Sequence, residues 1–528
     1  MNDNRMTMHG RREAGDLNRK NAGRSFGPVV AVLLLLLLPL AAACRDAGEA
    51  SSVSEVSVEK VQFATAREAK RALLDLADAG ISESLVTDEW YEAYRSLRRE
   101  INEFMVSAGN DEECIEKCVA YYVRMTDLLE NIEYIRLDVA RIYISCDSEI
   151  NSEEYVSAEI YVIDTADGGN GDVHGTVKVR VRGNSTAAAD KKPYNIKFEE
   201  KISLLGMSEG KKWCLLANHF DKTLIRNKLA YDFAAVCGTE YPIESEFVDV
   251  YVNGVLQGSY LLTEPVSDGK NRVDITTENG EFIVERLMLW EGGYDFITSP
   301  GGYGFAADTP AADEMTDAQR AAITEVLNAV DSAVASGDES RIRDAIDVDS
   351  FVSMYVLHEL LKDCDITYNS SYFFYKNGRL YAGPLWDMDL SMGNVSHLYF
   401  QDKYHIYNND PGFGDGSGDS ASGIWAQQDW YRSLMKCGFF RDEAIAKYMS
   451  LLDDIEYLYK DGGYIDTLAE KYEASFKRNY GSAGWSVSFP YSEYELECPA
   501  GDYAGNLKWL KDWLYRRDMY LRGYFGIE

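Results

Sequence analysis

The sequence predicts an α+β protein with a helical first region, a middle rich in antiparallel strands and a mostly helical last region. Three patterns support this class. Apolar side chains recur at helical spacing over 61–136, polar and apolar side chains alternate between Gly, Asn and Asp turns over 137–300, and helical patterns dominate 301–528. The 46% hydrophobic and 12% aromatic residues are typical of a chain that folds around a core.

The N-terminus, ahead of the helical region, predicts export. Residues 1–43 begin with six Lys or Arg before an apolar run that is too short for a comfortable membrane span, as in a signal peptide. The small residues before Cys44 resemble the bacterial lipobox, although Ala41 stands where that pattern prefers leucine. We therefore expect Cys44 to carry lipid and to anchor an exported, extracytoplasmic protein to the bacterial cell membrane, with residues 44–60 as a flexible tether. An ordinary signal peptide with an unmodified Cys44 is the alternative.

Charge and cysteine content argue against a nucleic-acid partner and a zinc ribbon. The formal net charge of −34 would repel nucleic acid, so we expect no such partner. Eight cysteines follow Cys44 at irregular spacing and without a CxxC pair, which argues against a zinc ribbon. Cys114 and Cys118 share one face of a predicted helix, where either a disulfide bridge or two buried free thiols would fit the spacing.

The strand-rich region contains a hairpin signal and a row of cations. Asn253 and Gly254 separate two apolar alternations, which predicts a β-hairpin. Residues 177–182 alternate valine with Lys or Arg, and residues 194–198 place Tyr, Ile and Phe on one face with Lys197 on the other. If these strands pair, their cations form a ribbon suited to phosphate oxygens. A solvated face balanced by nearby acidic residues is the alternative.

A short segment of the last region places carboxylates in apolar surroundings. Asp387 and Asp389 follow Trp386 inside an apolar run. Such carboxylates need a metal ion, a cation or a proton, because burying an unpaired charge is costly. The segment alone does not decide among the three.

Five sequence blocks, in order along the chain, carry a resemblance to a known family. They are RGNST (182–186), KKPYNIKF (191–198), LLGMSEGKKWCLLANHFDKTLIRNKLAYDFA (204–234), YVNGVLQGSYLLTE (251–264) and SSYFFYKNGRLYAGPLWDMDLSMGN (370–394). Together they resemble the CotH family, the atypical protein kinases similar to spore coat protein H, from roughly residue 139 to the C-terminal helices. Ala187 and Pro265 depart from the family, which usually has an aromatic and a basic residue there.

The resemblance implies a divergent protein-kinase-like fold, with an antiparallel-rich N-lobe over 137–300 and a helical C-lobe over 301–528. It implies an enzyme that binds ATP with Mg²⁺ or Mn²⁺ and transfers phosphate to side chains of a protein substrate. Membrane attachment through the N-terminal lipid would make this a cell-surface kinase.

The resemblance also assigns roles to four residues near the acidic segment. Asp387 resembles the metal-binding aspartate, and Asp389 would be a second ligand if the segment is extended. Asp365 resembles the catalytic aspartate that orients the acceptor hydroxyl, and Asn369 would be a further metal ligand. Asp363, by contrast, is interpreted as a solvated residue at a helix end.

On the nucleotide side, the resemblance offers several polar candidates. Lys197 lies in an early strand, as the phosphate-contacting lysine of kinases does, and Arg182 is a second candidate. Asp221 is predicted to be the N-cap of a helix that holds Arg226 one turn inside, where Arg226 could contact phosphate. Glu264 could line the adenine end of the site or form a structural ion pair.

Two other classes of function remain open. A surface-binding module of the adhesin type, without catalysis, would use the many tyrosines near the acidic segment. A glycan-active protein would use paired carboxylates, but Asp387 and Asp389 are too close for that, since Cα atoms two residues apart in a strand lie only about 6–7 Å from one another.

Overall fold

The computed structural model describes the chain in ranges separated by gaps. The described residues are 62–77, 86, 88–130, 138–165, 172–183, 185–287, 293–363, 370–394, 429–487 and 501–527. The chain divides into two compact units, with the boundary between Arg136 and Leu137. In these described ranges, no helix is long and apolar enough to cross a membrane. The predictions for Cys44, Asp365 and Asn369 fall on residues outside them.

The first unit is helical where it is described. Its helices are α1 (Ala66–Ala77), α2 (Asp88–Ser107) and α3 (Glu112–Glu130). They bury a core of their own, and the indole N–H of Trp90 donates to the carbonyl of Leu128 (3.0 Å), which joins α2 to α3. Cys114 and Cys118 are buried free thiols, so the spacing that also suited a disulfide bridge serves packing. Burial raises the pKa of Cys118 to about 11.

The second unit begins with a closed barrel of seven strands. They are β1 (Ala140–Ser145), β2 (Val156–Ile163), β3 (Val173–Val181), β4 (Tyr194–Ile202), β5 (Gly210–Leu216), β6 (Ser245–Val252) and β7 (Val255–Thr263). Their order around the barrel is β1-β2-β3-β4-β5-β7-β6, and β6 closes the barrel by pairing in parallel with β1. Closure pairs each strand with two neighbours and so removes the exposed edges of an open sheet.

The predicted alternation of the barrel strands is confirmed. Val177, Val179, Ile196 and Trp213 are buried in the barrel interior. Because β3 and β4 pair in register, their polar residues share the outer face. The hairpin between β6 and β7 is also confirmed, and its turn residues Asn253 and Gly254 have φ of +49° and +78°, as a tight two-residue turn requires.

Five further strands form a second sheet in the order β12-β11-β8-β10-β9. They are β8 (Phe282–Leu287), β9 (Phe296–Ile297), β10 (Gly304–Thr309), β11 (Ser371–Lys376) and β12 (Arg379–Ala382). The apolar residues of this sheet share one large core with the outer-face residues Cys214 and Leu216 of β5 and with the helices. The barrel strands therefore contribute to two cores. Their inner face forms the core of the barrel, and part of their outer face packs into the core that the second sheet shares with the helices.

Apart from the short first one, the described helices of the second unit supply the rest of that core. They are α4 (Ser185–Ala188), α5 (Arg226–Val236), α6 (Asp317–Ser336), α7 (Glu339–Ala345), α8 (Val348–Leu361), α9 (Asp429–Leu434), α10 (Gly438–Ser450), α11 (Leu452–Tyr459), α12 (Tyr464–Lys471), α13 (Glu473–Tyr480) and α14 (Tyr503–Phe525). Helix α8 is buried almost all round, and its polar residues Ser350, Ser353, His358 and Glu359 are buried with its apolar ones.

The start of α5 differs from the prediction. The helix begins at Arg226, and its N-cap position is Ile225 rather than Asp221. Leu224 has a φ of +64°, a left-handed conformation that no helix continues through, so the helix cannot extend back to Asp221. Asp221 still serves the helix end, because its carboxylate accepts the backbone N–H of Arg226 (2.8 Å).

The α+β class is confirmed, and the predicted antiparallel-rich region contains the barrel strands. The first seven strands close into a barrel rather than forming a clear kinase-like lobe, and strands β11 and β12 lie after helix α8 in the chain. The physical reason lies in β6, which returns parallel beside β1 and satisfies the hydrogen bonds of both edges.

Candidate functional site

The acidic segment follows β12 and is packed tightly on both sides of Asp387. Trp386 and Met388 are buried, while Asp387 is partly exposed. The φ of Asp387 is +60°, in a region that residues other than glycine rarely adopt. Such a conformation persists only where the surroundings hold it, and it is a common feature of functional sites.

Helix α5 holds this backbone in place. The N–H of Met388 donates to Oδ1 of Asn227 (2.7 Å), and the N–H of Asp387 donates to the hydroxyl of Tyr231 (3.4 Å). The Nε of Arg226 donates to the carbonyl of Ser391 (3.1 Å). Three side chains of one helix therefore fix the loop that carries Asp387.

Arg226 is a positioning residue in this arrangement. Its guanidinium pairs with Asp221 at 2.5 Å and also donates to the carbonyl of Met392 (3.4 Å). The side chain is 2% exposed. The structure therefore gives Arg226 a buried ion pair with Asp221, which matches its charge inside the protein, and its predicted phosphate contact stays a prediction.

Arg182 and Trp386 form the wall beside Asp387. The guanidinium carbon of Arg182 lies 5.3 Å from the ring centroid of Trp386, within cation–π distance. Trp386 in turn stacks on Tyr231, with ring centroids 6.0 Å apart and an interplanar angle of 13°. Arg182 remains partly exposed. The stack thus orients a guanidinium that can still meet a ligand from solvent.

Arg182 and Asp387 influence each other's charge. Burial raises the pKa of Asp387, and the positive charge of Arg182 opposes this shift. Burial by itself lowers the pKa of Arg182, but the neighbouring Cys214 and Asp387 outweigh it, and the pKa is raised. Arg182 is therefore a cation within electrostatic reach of Asp387, of the kind that a carboxylate in apolar surroundings requires.

The second sheet adds acidic and hydroxyl groups near Asp387. Glu285 on β8 lies opposite Tyr372 on β11, and its carboxylate accepts the N–H of Ser370 (2.7 Å). Burial raises the pKa of Glu285; hydrogen bonds from Ser370 and Tyr372 oppose the shift, and the charges of Asp308 and Asp387 add to it. Arg182 from the barrel and these groups from the sheet are thus within electrostatic reach of one another.

The described donor set for a metal ion is small. Asp389 is buried and lies in a turn, so the extended geometry that would align its carboxylate with that of Asp387 is absent here. Among the described residues, no group of three His, Cys, Asp or Glu side chains could hold a metal ion. A Mg²⁺ ion bound to a nucleotide needs only one or two protein carboxylates besides phosphates and water. Asp387, partly exposed and carboxylic, fits that requirement as a single ligand.

Lys197 lies on the outer face of the barrel rather than beside Asp387. It is exposed and stands opposite Lys178 of β3 and Lys212 of β5. Lys178 on β3 lies four positions before Arg182, which follows the end of that strand; four positions correspond to about 13 Å in extended chain. The structure therefore groups Arg182 with Asp387 and places Lys197 in a separate basic row.

Glu264 forms the structural ion pair that was one of its two predicted roles. Its carboxylate lies 2.8 Å from Nε of Arg272, and both side chains are buried. Arg272 also lies over the Trp213 ring, 5.0 Å from its centroid, and donates to the carbonyl of Lys212 (3.0 Å). Burial raises the pKa of Glu264 to about 7, and Arg272 opposes the shift.

Several residues of this region were not found from the sequence. Asn227 and Tyr231 stand four apart in NKLAYDF, a helical spacing that places both on one face, but nothing in that pattern shows which loop they meet. Asp363 was interpreted as solvated; it is fully buried, and its carboxylate lies 3.6 Å from Nδ1 of His358. Lys191 is also buried, and its ammonium group donates to the carbonyl of Ala217 (2.8 Å).

The chain is similar to a known protein family over most of its second unit. The model of the family described as CotH kinase protein matches residues 179–521. The match begins in β3 and ends in α14, and it includes Arg182, helix α5 and Asp387. No curated protein matches the chain.

Proposed function

Because the chain belongs to the CotH kinase protein family, we propose that it is a kinase-like phosphotransferase that uses ATP with Mg²⁺ or Mn²⁺. Its acceptor is a side-chain hydroxyl of a protein substrate. The observation that carries this proposal is the Arg182–Trp386–Asp387 arrangement, in which a cation oriented by a stacked indole stands beside a carboxylate held at a φ of +60°. A phosphate and its metal ion need one group of each kind.

Each residue of this arrangement has a separate task. The Arg182 guanidinium contacts phosphate oxygens, and its planar fork suits them better than a point charge would. Asp387 would hold the metal ion, which when bound would supply positive charge to the phosphate oxygens. Tyr231 and Asn227 keep Asp387 in position through the backbone of its loop.

The acceptor hydroxyl requires its own orienting group. Asp365 has that role in our proposal because of its place before the β11 strand, and Asn369 would assist at the metal ion. The protein is further proposed to be exported and anchored through a lipid on Cys44, which the small residues before that cysteine support.

Binding and transfer are measured separately to test this function. For the unmodified protein, we expect ATP to raise the melting temperature only when Mg²⁺ or Mn²⁺ is present, since a ligand stabilises the folded state that binds it. Asp387→Asn should lose this metal-dependent stabilisation and remain folded. Asp349→Asn is the matched control, because Asp349 is an exposed aspartate at the start of α8. An Asp387→Asn protein that binds Mg²⁺–ATP as tightly as the unmodified protein would contradict the assignment.

The transfer step is tested with Asp365→Asn and radiolabelled ATP. This variant should retain metal-dependent ATP binding but transfer phosphate about 10²–10⁴ times more slowly, the usual contribution of a general base. Transfer at the unmodified rate would refute the role of Asp365. Absence of transfer by the unmodified protein, with any nucleotide and either metal, would favour the surface-binding module.

A further inference from the structure

Three lysines form a continuous basic row on the outside of the barrel. The lysine row consists of Lys178 on β3, Lys197 on β4 and Lys212 on β5, which stand directly opposite one another in the two ladders. All three are exposed. Residues directly opposite each other in an antiparallel ladder have Cβ atoms about 4.5–5.5 Å apart, so the ammonium groups can converge on one ligand.

Among the described residues, this row has acidic neighbours but forms no ion pair. Within the described ranges, no carboxylate lies within ion-pair distance of any of the three lysines, although Asp308 and Lys212 interact at longer range and Glu199 is a near neighbour in sequence. Like charges directly opposite each other destabilise a sheet. The chain as a whole has 87 acidic against 53 basic residues, so an exposed basic row runs against its composition.

The lysine row lies beside the candidate site and not within it. Two residues along β5 from Lys212 is Cys214, whose thiol interacts electrostatically with Arg182 and Asp387. Two residues in a strand span about 6–7 Å, so one end of the row borders the site while Lys178 lies farther from it. A chain segment bound at the row would therefore lie next to the candidate site.

We propose that the lysine row binds an acidic segment of the protein that receives the phosphate. This inference rests on the proposed function and adds to it the chemical class of the substrate: hydroxyl-bearing residues flanked by Asp or Glu. An extended segment places alternate side chains on one face at about 6–7 Å spacing, which flexible lysines can match. Contacts of this kind are exposed, so each is weak and salt-sensitive, and the three act together.

The test uses the full chain and a fluorescently labelled peptide in which glutamate and serine alternate. Replacing Lys178, Lys197 and Lys212 together by Gln should weaken peptide binding about ten-fold at low salt. Each exposed ion pair with the peptide should account for a factor of about two in affinity. Added salt should reduce the difference. A peptide with glutamine in place of glutamate should bind neither protein. ATP binding with Mg²⁺ should be unchanged by the substitutions.

Two controls make the result specific. Replacing Lys436, Lys477 and Lys508 by Gln changes the net charge equally but alters exposed lysines on or beside helices, and peptide binding should persist. Lys197→Gln alone, which leaves two lysines of the row in place, should give an intermediate loss and covers the case in which the triple variant fails to fold.

Three results would overturn the inference. The first is equal peptide binding by both triple variants, and the second is equal binding of the glutamate and glutamine peptides. The third is a loss of ATP affinity without a loss of peptide affinity, which would assign the row to the nucleotide. A failure of the proposed function is distinguishable, because it would abolish phosphate transfer while charge-dependent peptide binding remained.

Discussion

At the scale of single residues, Glu264 shows how burial changes the chemistry of a side chain. Its carboxylate lies against Arg272, and burial raises its pKa to about 7. In the unfolded chain a glutamate has a pKa of about 4.3. Between these two values the folded protein holds more protons than the unfolded chain. Stability from this group is therefore fully present below about pH 4.3 and is lost as the pH rises through 7.

We predict that Glu264→Gln removes this dependence on pH. The free energy of unfolding of the unmodified protein should fall between pH 5 and 8 by about 2.5 kcal/mol more than that of the variant, since one pKa unit corresponds to about 1.36 kcal/mol. Urea unfolding at a series of pH values measures the difference. Glu278→Gln is the control, because Glu278 is exposed. Parallel pH profiles for the unmodified protein and Glu264→Gln would show that Glu264 does not titrate in this range.

At the scale of elements, α5 acts as the platform for the loop that carries Asp387. The helix contributes Arg226, Asn227 and Tyr231, and each contacts the backbone of that loop. Because these contacts bury its polar residues, α5 is a helix without a clear apolar face. Hydrogen bonds to the backbone around Asp387 hold it at positive φ and leave its side chain free of these contacts.

Asn227→Ala tests this platform. The substitution leaves the N–H of Met388 without its acceptor inside the protein, which should cost about 1–3 kcal/mol of unfolding free energy. Amide hydrogen exchange of residues 387 and 388 should accelerate, because the loop would open more often.

A second helical asparagine provides the comparison. Oδ1 of Asn328 on α6 accepts the N–H of Ser299 (2.7 Å) in an exposed setting, where water can replace it. Asn328→Ala should therefore cost less than Asn227→Ala. Unchanged exchange at residues 387 and 388 in Asn227→Ala would show that the loop does not depend on α5.

At the scale of the whole molecule, the two units have separate cores. The buried side chains of the described helices α1 to α3 form one cluster, and the barrel interior and the sheet–helix core form two others within the second unit. A core that is complete within one stretch of chain can in principle fold alone.

We therefore predict that residues 137–528 fold without the first unit. Their melting temperature should lie within about 3 °C of the corresponding transition in the whole chain, which is the shift expected from about 1 kcal/mol. Scanning calorimetry of both proteins measures this. A fragment ending at residue 378, which removes β12 and the helices after it, is the control and should not show the transition. A fragment 137–528 that fails to melt cooperatively would contradict the separation of the cores.

Sequence patterns alone determined the elements whose signals are local. Alternating Val177, Val179 and Ile196 predicted the barrel strands, because side chains in a strand point to opposite faces by turns. Asn253 and Gly254 predicted their hairpin, because both central positions of that turn require positive φ. The motif blocks indicated the family that the comparison then showed.

Tertiary structure decided which of the candidate residues meet. Barrel closure, the burial of Arg226 and Asp363, and the convergence of Arg182 with Asp387 depend on contacts between segments far apart in the chain. The sequence does not show whether a polar residue will lie in solvent, in a buried ion pair or at a ligand site. The packing around a polar residue determines how much water and which charged groups it meets. These surroundings determine whether it is ionised and what it can bind.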